Sequence, residues 1–308
     1  MAHALTSSIA GVVAVAACAA FVPPDKQNQH IRAVYVSVTD KNGTAITDLQ
    51  STDFEVKEGG KTREIVGASA ATIPLRVSLL VADQGTGAFQ RGLAQFMQTL
   101  LGHAEFQLVS VVVQPEKLTD FSHEGRELSA ALSRLGPRGR ERGAQLMEAI
   151  QDATRDVQHD ARRPVIVVMR LGGEAASPIT GDDVRQQLRQ SGAALYVISA
   201  AGAQGAAPPQ ATGTDAVSVQ QGQMRDSELA DGAFNLAQVL GDGAKESGGR
   251  HDQVIATTHA QALQQLANEL LHQYEITYVP ADGVKPGEKL SVSSRRKGVT
   301  VHAPSRVR

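Results

Sequence analysis

A single cysteine, Cys18, stands among 308 residues, so no disulfide can form within the chain and the fold must be held by its core. Tryptophan is absent, and Phe and Tyr make up only 4% of the residues, too few for the aromatic platforms on which nucleic-acid bases stack. An excess of either charge is missing too. Thirty Lys and Arg against 32 Asp and Glu leave a net charge of -2, which creates no field selecting nucleic acid or an anionic membrane. Nucleic acid is therefore not an expected partner. The 42% hydrophobic and 20% charged residues fall in the ordinary globular range, and the length is a prior for about two domains.

The common catalytic signatures are also lacking. No Gly-x-x-x-x-Gly-Lys loop cradles phosphate, no His-Glu-x-x-His binds zinc, and no Gly-x-Ser-x-Gly elbow presents a nucleophile. Gly85-Thr86-Gly87 after a strand invites a dinucleotide reading, but the third glycine, Gly92, comes too late, and Val113-Gln114-Pro115 follows the next strand where an acid is needed. His123-Glu124, His159-Asp160 and His251-Asp252 are scattered over polar stretches without a converging nucleophile and read as surface histidines. Neither an enzyme nor a cofactor is expected.

The first thirty residues carry an apolar stretch, Ile9 to Val22, followed by Pro23-Pro24-Asp25. It has the length of a signal peptide rather than a membrane span. Ala17 and Ala19 suit a signal peptidase, while Val15-Ala-Ala-Cys18 resembles the lipobox at which bacterial lipoproteins are cut and acylated. Residues 1–24 are thus expected to direct export, with a lipid anchor at Cys18 as the one route to a membrane.

Beyond this segment the hydrophobic period changes twice. Val34, Val36 and Val38 alternate with polar residues into Asp40-Lys-Asn42-Gly43, and Phe54 and Val56 lead into Glu58-Gly59-Gly60-Lys61 before Thr62 to Val66 returns. Both read as hairpins. From Pro74 onward, the apolar runs Leu75–Val81, Gln107–Val113, Pro164–Met169 and Ala193–Ile198 alternate with helical stripes such as Phe89, Leu93, Phe96, Met97 and Leu100. Strands this apolar need both faces covered, the pattern of a mostly parallel sheet in an α/β domain. Thr180 and Thr258 are placed to cap helices. Residues 201–231 show no sustained period and read as a mobile insertion. Tyr274–Tyr278, Leu290–Val292 and Val299–Val301 alternate again, so both chain ends are expected to build one β module.

Several of these segments together resemble a known family. They are Val36-Ser-Val-Thr-Asp40-Lys-Asn-Gly43, Asp48-Leu49, Asp53-Phe54-Glu-Val56-Lys-Glu58-Gly-Gly-Lys61 and Leu271-His-Gln273-Tyr274-Glu-Ile-Thr-Tyr278-Val-Pro280. In order, and around an α/β domain, they are similar to the exported bacterial VWFA-related proteins common in Acidobacteria. The resemblance implies a doubly wound von Willebrand factor A-type domain over 73–273. Residues 28–72 and 274–308 would then form the flanking antiparallel β module.

In that family a metal-ion-dependent adhesion site lies at the carboxyl ends of the strands, with an Asp and two Ser in the first loop, a Thr in a second, and an Asp after a later strand. Position by position, Asp83 matches the first ligand, Gly85 and Gly87 replace the two serines, Ala144 stands for the Thr, and Leu171 for the later Asp. A hard cation needs near-octahedral oxygen ligation with directly placed carboxylates, so no metal is expected. The residual donors are Thr86, Glu174 and Asp182. A buried Asp83 needs another partner, and Arg170 or Arg138, Arg140 and Arg142 are the candidates to replace the cation with a guanidinium. The resulting expectation is an exported, non-catalytic module that binds a protein partner of unnamed identity. Its candidate surface is Asp83, Gln84, Gly85, Thr86 and Gly87, the 138–143 loop, and 170–173. The alternatives are a Mg²⁺- or Mn²⁺-dependent adhesin and a structural envelope protein.

Overall fold

The computed structural model describes residues 31–136, 145–172, 177–201, 216–281, 283 and 287–306. Four strands open the described chain: β1 (Arg32–Asp40), β2 (Phe54–Glu58), β3 (Lys61–Arg63) and β4 (Ile65–Ala70). An α/β succession follows: β5 (Leu75–Ala82), α1 (Gln90–Leu100), β6 (Ala104–Val111), β7 (Pro115–Ser122), α2 (Gly125–Ser133), α3 (Leu146–Asp156), β8 (Arg163–Leu171), α4 (Gly181–Ser191) and β9 (Ala194–Ala201). Then come α5 (Ala216–Gln238), a π-helical turn, α6 (Ala244–Glu246), β10 (Arg250–Ile255) and α7 (His259–Leu271). The strands β11 (Tyr274–Tyr278), β12 (Leu290–Ser294) and β13 (Val299–His302) complete it.

The apolar runs become the centre of a six-stranded sheet ordered β10-β9-β8-β5-β6-β7, parallel throughout except for β7, which runs antiparallel to β6 at the edge. Because successive side chains point to opposite faces, β5 feeds two cores. Leu75, Val77, Leu79 and Val81 pack with α1, α2 and α7, whereas Leu80 and Ala82 pack with α3, α4 and the end of α5. The stripes at helical spacing account for this. Leu93, Phe96, Met97 and Leu100 of α1 and Leu263, Leu266, Ala267 and Leu270 of α7 are all buried, and each large side chain contributes roughly 1.5–3 kcal/mol of burial.

The β module is assembled from both ends of the described chain. One sheet has the order β13-β1-β11-β4 and the other β12-β2-β3, every pairing antiparallel. Between them lies a third core that includes Val36, Phe54, Val56, Ile276 and Tyr278. A buried carboxylate ties the two sheets. Glu58, fully buried on β2, accepts from Arg32 Nη1 (2.6 Å), the Tyr278 hydroxyl (3.2 Å) and the Ala281 amide (3.0 Å), with Arg63 at 3.6 Å.

The module joins the α/β sheet through a second buried polar network. Arg163, at the start of β8, donates to the Gln273 side-chain oxygen (2.6 Å) and the Ile73 carbonyl (2.6 Å), and Gln273 Nε2 donates to Ser37 Oγ on β1 (3.1 Å). The Tyr196 hydroxyl lies 3.4 Å from Gln273 Nε2, and burial pushes its pKa far up.

Several expectations are corrected. The turn at Asp40 forms, with Asp40 Oδ1 accepting from the Asn42 and Thr44 amides (both 2.8 Å), but its return is only an isolated bridge from Thr39 to Ala45. Strand β1 pairs instead with β11 and β13, so the first hairpin is replaced by long-range pairing. The edge strand β7 lacks an apolar run and was not expected. Residues 216–231 are helical within α5 rather than an irregular insertion. Ala, Gln, Met, Leu and Glu there favour helix intrinsically even without an amphipathic period. Residues 202–215 lie outside the described residues. Thr180 caps α4 as expected, accepting from the Asp183 amide at 3.2 Å. Thr258 does not cap α7, because its hydroxyl donates back to the Ile255 carbonyl at 3.2 Å.

Candidate functional site at the carboxyl ends of the parallel strands

Strand β5 delivers Asp83 into the loop leading to α1, where the residue is 2% exposed. Its carboxylate is met by the loop's own backbone. Oδ1 accepts from the Gly85 N–H at 3.0 Å and Oδ2 from the Gly87 N–H at 2.6 Å. The Asp83 carbonyl accepts from Thr86 Oγ1 at 2.8 Å and from the Thr86 amide at 3.2 Å. This closure needs an unusual backbone path, with φ of 56° at Gln84, 71° at Gly85 and 72° at Gly87. Glycine adopts the left-handed region without the Cβ clash that other residues carry. The two glycines therefore turn their amides onto a carboxylate where two hydroxyls would otherwise project.

Gln84, a non-glycine residue at positive φ, has a task that accounts for its position. Its Nε2 donates to the Leu171 carbonyl at 2.9 Å and ties the β5 loop to the end of β8. Leu171 itself packs against the α1 and α7 core. At the position that an acid would occupy in the resembled family stands an apolar side chain facing inward. The donor set here is one carboxylate already holding two amides, one hydroxyl bonded back to the loop, and two residues without side chains. That set does not fit a hard cation, which wants several free oxygens. Among the described residues no group of three or more His, Cys, Asp or Glu is arranged to hold a metal.

Arg170 does not pair with Asp83 among the described contacts, so that expectation is corrected. Alternation is the reason. The register pairs Ala82 with Arg170, and Arg170 continues the side of Ile166 and Val168, while Leu171 continues the side of Val167 and Met169 on which β5 leads to Asp83. The guanidinium is largely buried, and desolvation lowers its pKa. Arg138, Arg140, Arg142, Gly143, Ala144, Gly173 and Glu174 lie outside the described residues, as does Cys18. Asp182 is on the first turn of α4, bonded by Arg185 at 3.3 Å, and is not brought to Asp83.

One residue that the sequence reading assigned to the general surface is instead held against β9, on the face of the sheet that Arg170 shares. His251 is on β10, half-buried, with Nε2 2.8 Å from Ser199 Oγ on β9. Burial lowers its pKa, the Asp252 carboxylate opposes that shift, and the charge of Arg170 adds to it. Arg170 is the registered partner of Ser199, and His251, registered with Val197 near the start of β10, reaches Ser199 diagonally, so the three share one face of three adjacent strands. Asp252 points the other way with Arg250, which bonds Glu269 of α7. The strand β10 opens on the polar run Arg250-His-Asp-Gln253, which carried no alternation that could have revealed this.

The mostly parallel sheet covered by helices on both faces, with a separate antiparallel β module, makes this a von Willebrand factor A-type α/β fold. No family model matches the chain, and a search of curated proteins finds no match. Solved structures that are similar include the vWF domain of the type V pili tip protein Mfa5 from Porphyromonas gingivalis, 12% identical, covering 65% of this chain and 96% of that one with a TM-score of 0.42. BatB from Bacteroides thetaiotaomicron is likewise 12% identical, covering 64% and 98% with a TM-score of 0.39. Proximal thread matrix protein 1 from the mussel byssus, with a zinc-occupied MIDAS motif, is 10% identical with a TM-score of 0.46. That match covers 69% of this chain and 49% of that one, so this chain spans about half of the mussel protein. These scores are too low to carry an argument about function.

Proposed function

We propose that this chain is an exported, non-catalytic protein-interaction module that binds its partner through the loops at the carboxyl ends of the parallel strands, without a metal ion. The observation supporting it is the closure of Asp83 by the Gly85 and Gly87 amides beside an inward-facing Leu171. The loop is satisfied by its own backbone, and Gln84 locks it to β8. It is therefore a preformed surface at the place where ligands of open α/β sheets dock. A rigid loop loses little entropy on binding. The apolar N-terminal segment followed by Pro23-Pro24 supports export to the cell envelope or beyond.

Two measurements test this reading. Calorimetric titration of the full chain with Mg²⁺ and Mn²⁺ is expected to give no heat of site binding, and micromolar binding lost in Asp83→Ala would restore the metal-dependent adhesin. Capture of partners from an envelope extract by the immobilised protein is expected to survive EDTA and to be lost in a Gln84→Ala, Thr86→Ala double variant. A partner retained undiminished by that variant would instead favour a structural envelope protein.

A further inference from the structure

Of the four asparagines in the sequence, only Asn42 stands in the pattern Asn-x-Ser/Thr, as Asn42-Gly43-Thr44. With no proline in the middle, that pattern is the acceptor for N-linked sugar in an exported chain, and it has to lie on a surface loop. The fold puts it on one. The turn that leaves β1 exposes Lys41, Asn42 and Thr44. Asp40 holds this turn from beneath: Oδ1 accepts from the Asn42 and Thr44 amides, both at 2.8 Å, and the Asp40 carbonyl accepts from the Gly43 amide at 3.1 Å.

The turn itself does not call for asparagine at this position. Two-residue hairpin turns select Asn-Gly because both central residues take positive φ, whereas here Gly43 does so, at 79°, and Asn42 does not. The backbone amide that Asn42 gives to Asp40 could come from any residue but proline, and its carbonyl faces α7, accepting from Gln265 Nε2 at 3.4 Å. Its side-chain amide has one long contact, Nδ2 to Asp40 Oδ2 at 3.4 Å, and is exposed. The backbone of Asn42 serves the fold and its carboxamide stays accessible.

We propose that Asn42 is the attachment site of an N-linked oligosaccharide, transferred from a polyprenyl diphosphate carrier as the chain is exported. The assignment rests on the export reading above and gives the exported chain a covalent modification. In the transfer, Asn42 Nδ2 attacks the anomeric carbon of the carrier-bound sugar. The C–N bond forms as the C–O bond to the diphosphate breaks, one Nδ2 proton is lost, and the polyprenyl diphosphate leaves. The Thr44 hydroxyl, two residues on, completes the acceptor pattern. Because Asn42 is exposed, a sugar there extends into solvent and displaces no buried group. It stands on the β module, on a different element from the loop after β5, so the modification and partner binding are separable.

The test is mass spectrometry of the full chain purified from the cells that make it. The tryptic peptide Asn42–Lys57 holds no other asparagine. It is expected to carry a mass shift of whole sugar residues on Asn42, lost in Asn42→Gln and in Thr44→Ala and retained in Thr44→Ser. A bare Asn42, or sugar that survives Asn42→Gln, overturns the assignment. Aspartate at 42 without sugar, the product of spontaneous ammonia loss at an Asn-Gly step, overturns it too. If Asn42→Gln does not fold, the Thr44 pair decides: sugar with Ser and none with Ala supports the site, and equal sugar in both overturns it. The N-terminus of the same preparation separates this failure from failure of the export reading. A chain cut at or before Pro24 with Asn42 bare removes only this site. A chain that keeps residues 1–24 in the cytoplasm removes export and this site with it.

Discussion

The Gln84 side-chain amide donates to the Leu171 carbonyl across 2.9 Å, so the loop after β5 and the end of β8 are held as one unit. This bond ties the segment that carries Asp83 to the segment that carries Leu171. It also accounts for a non-glycine residue at a φ of 56°, a conformation costing roughly 1–2 kcal/mol that a part-buried hydrogen bond of about 1 kcal/mol largely offsets.

Restoring the serines should not restore a metal site. Gly85→Ser and Gly87→Ser place a Cβ at φ of 71° and 72°, and each is expected to cost about 1–2 kcal/mol. Urea unfolding of the double variant should show lower stability, and Mg²⁺ should not recover it, because the Leu171 side chain carries no oxygen.

Glu58 is fully buried and holds Arg32, Tyr278 and the Ala281 amide. Glu58→Ala leaves Arg63 beside an empty site and is expected to destabilise by about 3–5 kcal/mol, the usual cost of breaking a buried pair from one side. Chemical denaturation monitored by tyrosine fluorescence reads this.

Where β10 begins, its backbone approaches β9 so closely that a Cβ added at Gly249 would sit 2.0 Å from the Leu195 carbonyl oxygen. Gly249→Ala must push the strands apart. An overpacking cost of about 1–3 kcal/mol or more is expected in a thermal melt. Gly298→Ala, with open space around it, is a control for backbone strain alone, since its φ is 77°.

His251 and His302 both have pKa values lowered from 6.5, with burial the largest cause in each. Arg170 lowers His251 further while Asp252 raises it. For His302, Glu269 and Asp252 raise it and Arg250 lowers it. The folded state therefore binds fewer protons than the unfolded one below about pH 6.5, so these groups make stability fall as pH falls through that window. Above it their contribution is constant. A His251→Asn, His302→Asn variant should lose less stability between pH 7 and pH 5 than the parent protein, and an equal loss would remove both imidazoles from the account.

Gln273→Leu tests the joint between the β module and the α/β sheet. It strips Arg163 and Ser37 of a shared partner, and a loss of about 2–3 kcal/mol is expected because one of the broken bonds involves a charged group. Gln273→Glu keeps the acceptor for Arg163 and should lose less.

Much of this protein follows from the order of its residues alone. The apolar runs Leu75–Val81 and Pro164–Met169 can be buried only in a sheet covered on both faces, and the stripes of α1 and α7 supply the cover. The alternation at both ends of the described chain likewise required antiparallel sheets. What the residue order could not decide was anything dependent on which side of a strand a group falls or on which distant strand it meets. Val36 pairs with Tyr274 rather than with a hairpin neighbour, and this central place in the β13-β1-β11-β4 sheet lays the apolar face of β1 over Phe54 and Val56 of the other sheet. Asp83 takes the Gly85 and Gly87 amides and not Arg170, because alternation sends that arginine to the opposite face. The same alternation, acting on a strand too polar to show a period, brings His251 against Ser199.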